Sequence, residues 1–278
     1  MEFKIIKLKI DFRVHVYSRF KCFVGFSLAC LACSYSYAEV IAVTPNRSGT
    51  FYSADPIMTM YFQGVKPRAL ILFISGGWGK IGLRSNTNAL IDPFSRMLQQ
   101  LNNPKKTSGK YDLVVLDTPQ ELYTSPQRGS SDHLSRIESV IQFYKKKTGL
   151  PVWLMGHSNG ALSLASFIRY LQETKKTDLV DGLIISGGRN ETDFSRPLFM
   201  PMLFIHHEDD ACINTQPSNT FSTYKKVKEF DFADVQYVYI QSGEYELNDP
   251  CTSGYHMYFN AEDEAAQAID TYLRGIYR

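Results

Sequence analysis

The sequence predicts an α/β fold: a single domain with a mostly parallel central sheet flanked by helices. Short apolar runs alternate along the chain with segments whose apolar residues recur at helical spacing, the pattern of βαβ units. Glycine- and acid-containing turns follow several of those runs, at the strand ends where open α/β sheets assemble their sites. Residues 39–278 are also a length that one contiguous core can serve, and they contain no internal repeat or low-complexity linker.

The chain opens on a leader. Lys4, Lys7, Lys9, Arg13, Arg19 and Lys21 precede an apolar stretch over residues 22–33 that is too short to span a bilayer. Ser36-Tyr37-Ala38 then offers small residues for cleavage. Residues 1–38 read as a signal peptide cut after Ala38, so the mature chain is expected to be periplasmic or secreted, with no stable membrane span. A retained anchor, or lipid on Cys30 or Cys33, is the alternative, although neither cysteine has a leucine three residues before it. Cutting there removes six basic and two acidic residues and turns a formal charge of +2 into −2. The basic excess belongs to the leader, and nothing suggests a nucleic-acid partner.

The elements follow in order. Residues 40–43 and 57–62 read as opening strands, and 69–74 (Ala-Leu-Ile-Leu-Phe-Ile) as a buried one. Residues 86–101 read as a helix and 112–116 as a strand. Leu134, Ile137, Val140, Ile141 and Tyr144 recur at helical spacing and belong to the core. An apolar run then ends in Gly156-His157-Ser158-Asn159-Gly160, and residues 161–174 are helical. Strands are expected at 183–185, 202–206 and 236–241, with a closing helix at 262–273.

The pentapeptide carries the chemistry. A serine in Gly-x-Ser-x-Gly between a strand and a helix matches a nucleophile elbow, where a sharp turn holds Oγ clear of its own backbone. Gly156 and Gly160 permit the close approach such a turn needs. Acids follow the strand at 202–206 (Glu208, Asp209, Asp210), and a histidine, His256, lies in the loop after the strand at 236–241. The order Ser158, Asp, His256 resembles the α/β-hydrolase superfamily, and the resemblance covers about residue 40 to the C-terminus.

That resemblance implies roles. Ser158 is the nucleophile and His256 the base that takes its proton and returns it to the leaving group. Among the other histidines, His15 lies in the leader and His133 near a helix start. His157 is expected to point away from Ser158, and His206 and His207 to be structural. The family's acid sits four residues after the strand's terminal histidine, which from His206 gives Asp210; Asp209 and Asp193 remain as alternatives. Ser75-Gly76-Gly77-Trp78-Gly79 matches the oxyanion loop, with Gly77 or Trp78 giving one amide and Asn159 the other.

If such a triad forms, the loops carrying Asp210 and His256 meet, and Cys212 and Cys251 lie in those loops. A disulfide between them is expected in an oxidising compartment. The short connection from residue 186 to residue 201 leaves no room for a lid, so 80–88, 119–131 and 188–199 are the candidate pocket walls. In the second of these, Arg128 reads as a solvated surface charge, with an anionic substrate group as the alternative. The spacings of metal sites and phosphate loops are absent from the mature chain, so neither metal nor cofactor is expected.

The function these features imply is an exported serine hydrolase, carboxylesterase-like, that cleaves an ester, thioester or amide of a small-molecule or acylated substrate through an acyl-enzyme. An acyltransferase with the same triad and a non-catalytic binding or assembly protein on the same fold are the alternatives.

Overall fold

The computed structural model of the chain describes residues 38–47, 50–83, 93–118, 121–230, 234–245 and 248–278. The expected leader, apart from Ala38, lies outside the described residues, as does the first part of the helix expected at 86–101.

One eight-stranded sheet organises the molecule, in the order β1-β2-β4-β3-β5-β6-β7-β8. Its strands are β1 (Ala38–Val43), β2 (Ile57–Phe62), β3 (Ala69–Ile74), β4 (Tyr111–Leu116), β5 (Val152–His157), β6 (Gly182–Ser186), β7 (Met202–His207) and β8 (Val235–Ile240). From β4 through β8 every neighbouring pair is parallel. β1 and β2 join antiparallel at one edge. β3 to β7 are buried at every position, which is why they read as continuous apolar runs rather than as alternating ones.

Alternation still decides which face each side chain serves. Leu70, Leu72, Ile74, Leu154, Ile185 and Phe204 join one core layer with α3 (Ser131–Thr148), α4 (Asn159–Thr174) and the end of α5 (Pro217–Lys228). Ile71, Phe73, Trp153, Met155, Ile184 and Ile205 point the other way, onto α1 (Pro93–Leu101) and α6 (Glu262–Ile276). A single-turn helix, α2 (Ser125–Arg128), starts with a capping box in which Thr124 and Gln127 exchange hydrogen bonds.

Two elements differ from expectation. α2 forms where a loop was expected, and α5 fills the 217–228 segment, for which no element was expected. The segment between β6 and β7, residues 187–201, contains no helix or strand, so no lid lies there.

Candidate active site

β5 ends in His157 and α4 begins at Asn159, so Ser158 alone makes the turn, with φ 53° and ψ −120°. A non-glycine residue held there costs on the order of 1–3 kcal/mol and must be fixed by its surroundings. Its amide donates to Ser186 O at 3.0 Å and its carbonyl accepts from Ala161 N at 3.0 Å. The flanking glycines make room: a Cβ on Gly156 would fall 2.6 Å from Gly160 O, and one on Gly160 would fall 2.1 Å from Ile74 O. From across the site, a Cβ on Gly76 would sit 2.8 Å from Ser158 Cβ.

Asp210 and His256 meet. His256 Nδ1 donates to Asp210 Oδ2 at 2.8 Å, which fixes the Nδ1–H tautomer. Nε2 is then the ring nitrogen with no protein hydrogen bond among the described residues. The same carboxylate oxygen accepts from His206 Nε2 at 2.9 Å and from Thr215 Oγ1 at 3.0 Å, while Oδ1 accepts from Cys212 N at 2.9 Å. Burial works to raise the Asp210 carboxyl, but the hydrogen bonds from His206 and His256 outweigh it and hold the group below the usual carboxylate value. Asp209 is exposed, and its main-chain amide donates to His207 Nδ1 at 3.0 Å.

Ser158 and His256 wall one cavity of ≈350 Å³. The Ser158 hydroxyl makes no hydrogen bond to the ring among the described residues; such bonds are often long before substrate arrives. Gly76 and Gly77 form one side of this cavity, Phe73, Ile81, Phe94 and Met257 its apolar walls, and Lys80 its one cation among the described residues. Trp78 is not in the wall; its ring is exposed against Tyr123. Asn159 Nδ2 donates to Gly77 O at 2.8 Å and so ties the elbow to the glycine loop. Asp117 holds the neighbouring turn, accepting from Ile81 N at 2.6 Å and Leu83 N at 2.8 Å. Cys212 and Cys251 form a disulfide that links the loops of Asp210 and His256. Among the described residues no cluster of metal-ligating side chains occurs, and no helix is long and apolar enough to cross a membrane.

Two sequence readings are corrected. Arg128 is not a surface charge; it is 0 % exposed and donates to main-chain carbonyls under the glycine loop. The His157 ring bonds Ser186 Oγ through Nδ1 at 3.1 Å and lies 4.6 Å from that of His256, so His157 helps wall the cavity. Of the candidate pocket walls, 80–88 contributes Lys80 and Ile81, while the cavity takes nothing from 188–199 and is closed instead by Phe73, α1 and the Cys251 loop. His206 and Thr215 were the contacts to Asp210 that sequence reasoning missed; the His206–Asp210 spacing was visible, but Thr215 carried no signal.

No family model matches the chain, and no curated protein matches it. Solved structures do. A dienelactone hydrolase from Anabaena variabilis superposes with a TM-score of 0.54 at 13% identity, over 86% of this chain and 98% of that one. An α/β serine hydrolase without lid from Xanthomonas campestris gives 0.55 at 12%, over 86% and 94%. A thermostable esterase from Pseudomonas putida gives 0.54 at 12%, over 85% and 83%. At such identities the likeness is one of architecture, and it agrees with the sheet order and the elbow: the chain has the α/β-hydrolase fold, with no lid between β6 and β7.

Proposed function

We propose that the chain is a serine hydrolase that cleaves carboxylic esters through an acyl-enzyme. The observation that carries this reading is the Asp210–His256 hydrogen bond of 2.8 Å in the wall of the cavity that also holds Ser158 at its strained turn. In this reading Ser158 Oγ attacks the acyl carbon as His256 Nε2 takes its proton. The tetrahedral intermediate collapses, the alcohol leaves with that proton, and water, deprotonated by the same nitrogen, releases the acid. Asp210 keeps the imidazole in its Nδ1–H tautomer and offsets the charge it gains. The amide of Gly77 or Trp78 in the glycine loop, and that of Asn159, receive the oxyanion. Esters rank above amides because their leaving groups demand less of an open site, and apolar walls around ≈350 Å³ suit a short acyl chain.

The test is fluorophosphonate labelling followed by a panel of p-nitrophenyl esters of rising chain length. Wild type is expected to label and to hydrolyse the shorter esters, and the Ser158→Ala protein to do neither while melting at a similar temperature. Equal labelling of the two proteins would remove the assignment.

A further inference from the structure

Arg128 is a cation in an unusual place. It is 0 % exposed, no carboxylate pairs with it among the described residues, and burial pushes its pKa down only to about 10, which leaves it charged at neutral pH. A guanidinium has five N–H donors in a fixed fork, and all are used. Nε donates to Leu122 O at 3.0 Å. Nη1 donates to Ser75 O at 2.9 Å and Ser163 Oγ at 3.3 Å, and Nη2 to Gly76 O at 3.2 Å and Gly77 O at 3.0 Å. Three consecutive carbonyls of the glycine loop therefore face one side chain.

In a trans peptide the C=O and the following N–H point in opposite directions, and this chain has no cis bond among the described residues. Drawing the carbonyls of Ser75, Gly76 and Gly77 towards Arg128 turns the amides of Gly76, Gly77 and Trp78 away from it. Ser158 lies across the loop from the guanidinium: the Cβ that Gly76 lacks would meet Ser158 Cβ at 2.8 Å, whereas the one Gly79 lacks would meet Arg128 Nη2 at 3.2 Å. We propose that Arg128 is a positioning residue for the oxyanion loop, holding its amides towards Ser158 and polarising them with a desolvated positive charge. A charge behind a hydrogen-bonded peptide strengthens the donor at its far end. This inference rests on the serine-hydrolase reading, and it names what sets the oxyanion donors of that reading's glycine loop.

A merely structural arginine would, when replaced, lower the yield of folded protein and leave the chemistry of the survivors intact. A positioning role makes a different demand, since the oxyanion exists only after attack: losses fall on kcat and not on KM. The experiment compares wild type, R128K and R128M on p-nitrophenyl acetate, with active sites counted by fluorophosphonate titration so that unfolded protein is divided out. An alkylboronic acid, which forms a tetrahedral adduct with a serine hydroxyl, serves as the transition-state probe. Both variants are expected to lose kcat by about 100-fold or more, to keep KM within about threefold, and to bind the boronate more weakly in proportion to kcat/KM. R128K keeps the charge and stem but lacks the planar fork, so it carries the test if R128M does not fold. Wild-type kcat in R128K, or a loss confined to KM with unchanged boronate affinity, overturns the proposal while the Ser158→Ala result stands. Undiminished labelling of the Ser158→Ala protein overturns the hydrolase reading and this inference together.

Discussion

Asp210 Oδ2 accepts from three side chains at once, His206, His256 and Thr215, and these contacts are the ground for assigning the acid's role to it rather than to Asp209 in the proposed mechanism. An amide at position 210 would present a donor to at least one of those donors, freeing His256 to adopt the tautomer that protonates Nε2. Asp210→Asn is expected to lower kcat on the order of 10⁴-fold, and Asp209→Asn less than about tenfold; steady-state kinetics on a p-nitrophenyl ester decides, and the reverse ranking would transfer the acid's role to Asp209. A second expectation concerns acid. Burial and the charges of Arg128 and Arg136 push His133 down to about 3, and its Nε2 partner is the Ser163 hydroxyl at 2.9 Å. Between roughly pH 6.5, where the unfolded imidazole titrates, and that value, the unfolded state binds the extra proton, so stability falls as pH falls. His133→Gln is expected to flatten the fall in melting temperature between pH 7 and pH 5, and an unchanged slope would assign acid lability to other groups. The residues of the proposed triad could be picked out because acid and base follow strand ends in a fixed order, and the structure brings Asp210 and His256 within hydrogen-bond distance. Arg128 could not, because its partners are mostly backbone carbonyls, which leave no trace in side-chain pattern.

At the scale of elements, the central strands β3 to β7 were legible for a simple reason: burial on both faces favours near-continuous apolar runs. α5 was not, since the residues it buries include Thr220 and Thr223 beside Val227, and its aromatics Phe221 and Tyr224 are only partly covered. The available signals were end signals, Pro217 in the first turn and Lys225, Lys226 and Lys228 in the last. Edge topology was also hidden, because an apolar run pairs equally well in either direction; β1 and β2 turn antiparallel without any mark in their residues. The approach of α4 to β3 yields a prediction. A methyl group on Gly160 would lie 2.1 Å from Ile74 O, against backbone that cannot step aside, whereas one on Gly149 meets nothing within 4 Å and faces only the strain of φ 70°. Gly160→Ala is expected to lose more than about 2 kcal/mol and Gly149→Ala about 1 kcal/mol, read from urea unfolding; equal losses would mean that α4 shifts freely on the sheet.

At the scale of the whole molecule, the disulfide ties the loop after β7 to the turn before α6, two segments that the sheet's order brings together and that sequence separates by 39 residues. Closing that span stabilises the fold by about 4 kcal/mol if loop entropy alone acts. The bond also joins the two sides of the site, because Cys251 walls the cavity and Cys212 N donates to Asp210. A covalent tie of this kind persists where the surroundings are oxidising, which supports the proposal that residues 1–38 form a leader that exports the chain. Within the described residues β1 opens with Ala38 paired to Phe62, next to the proposed mature N-terminus at Glu39. The full chain produced in a bacterium is therefore expected to yield a periplasmic form with Glu39 at its N-terminus and Cys212 linked to Cys251 by peptide mapping. The same chain made from residue 39 onwards in a reducing cytosol is expected to carry both thiols free, to melt lower and to turn over more slowly, because the apolar sheet holds without the bond while the loops of Asp210 and His256 loosen. Oxidising that cytosolic form should restore both properties together. Recovery of melting temperature without recovery of turnover would separate the staple from the chemistry, and free thiols in the periplasmic form would contradict the export proposal's redox argument.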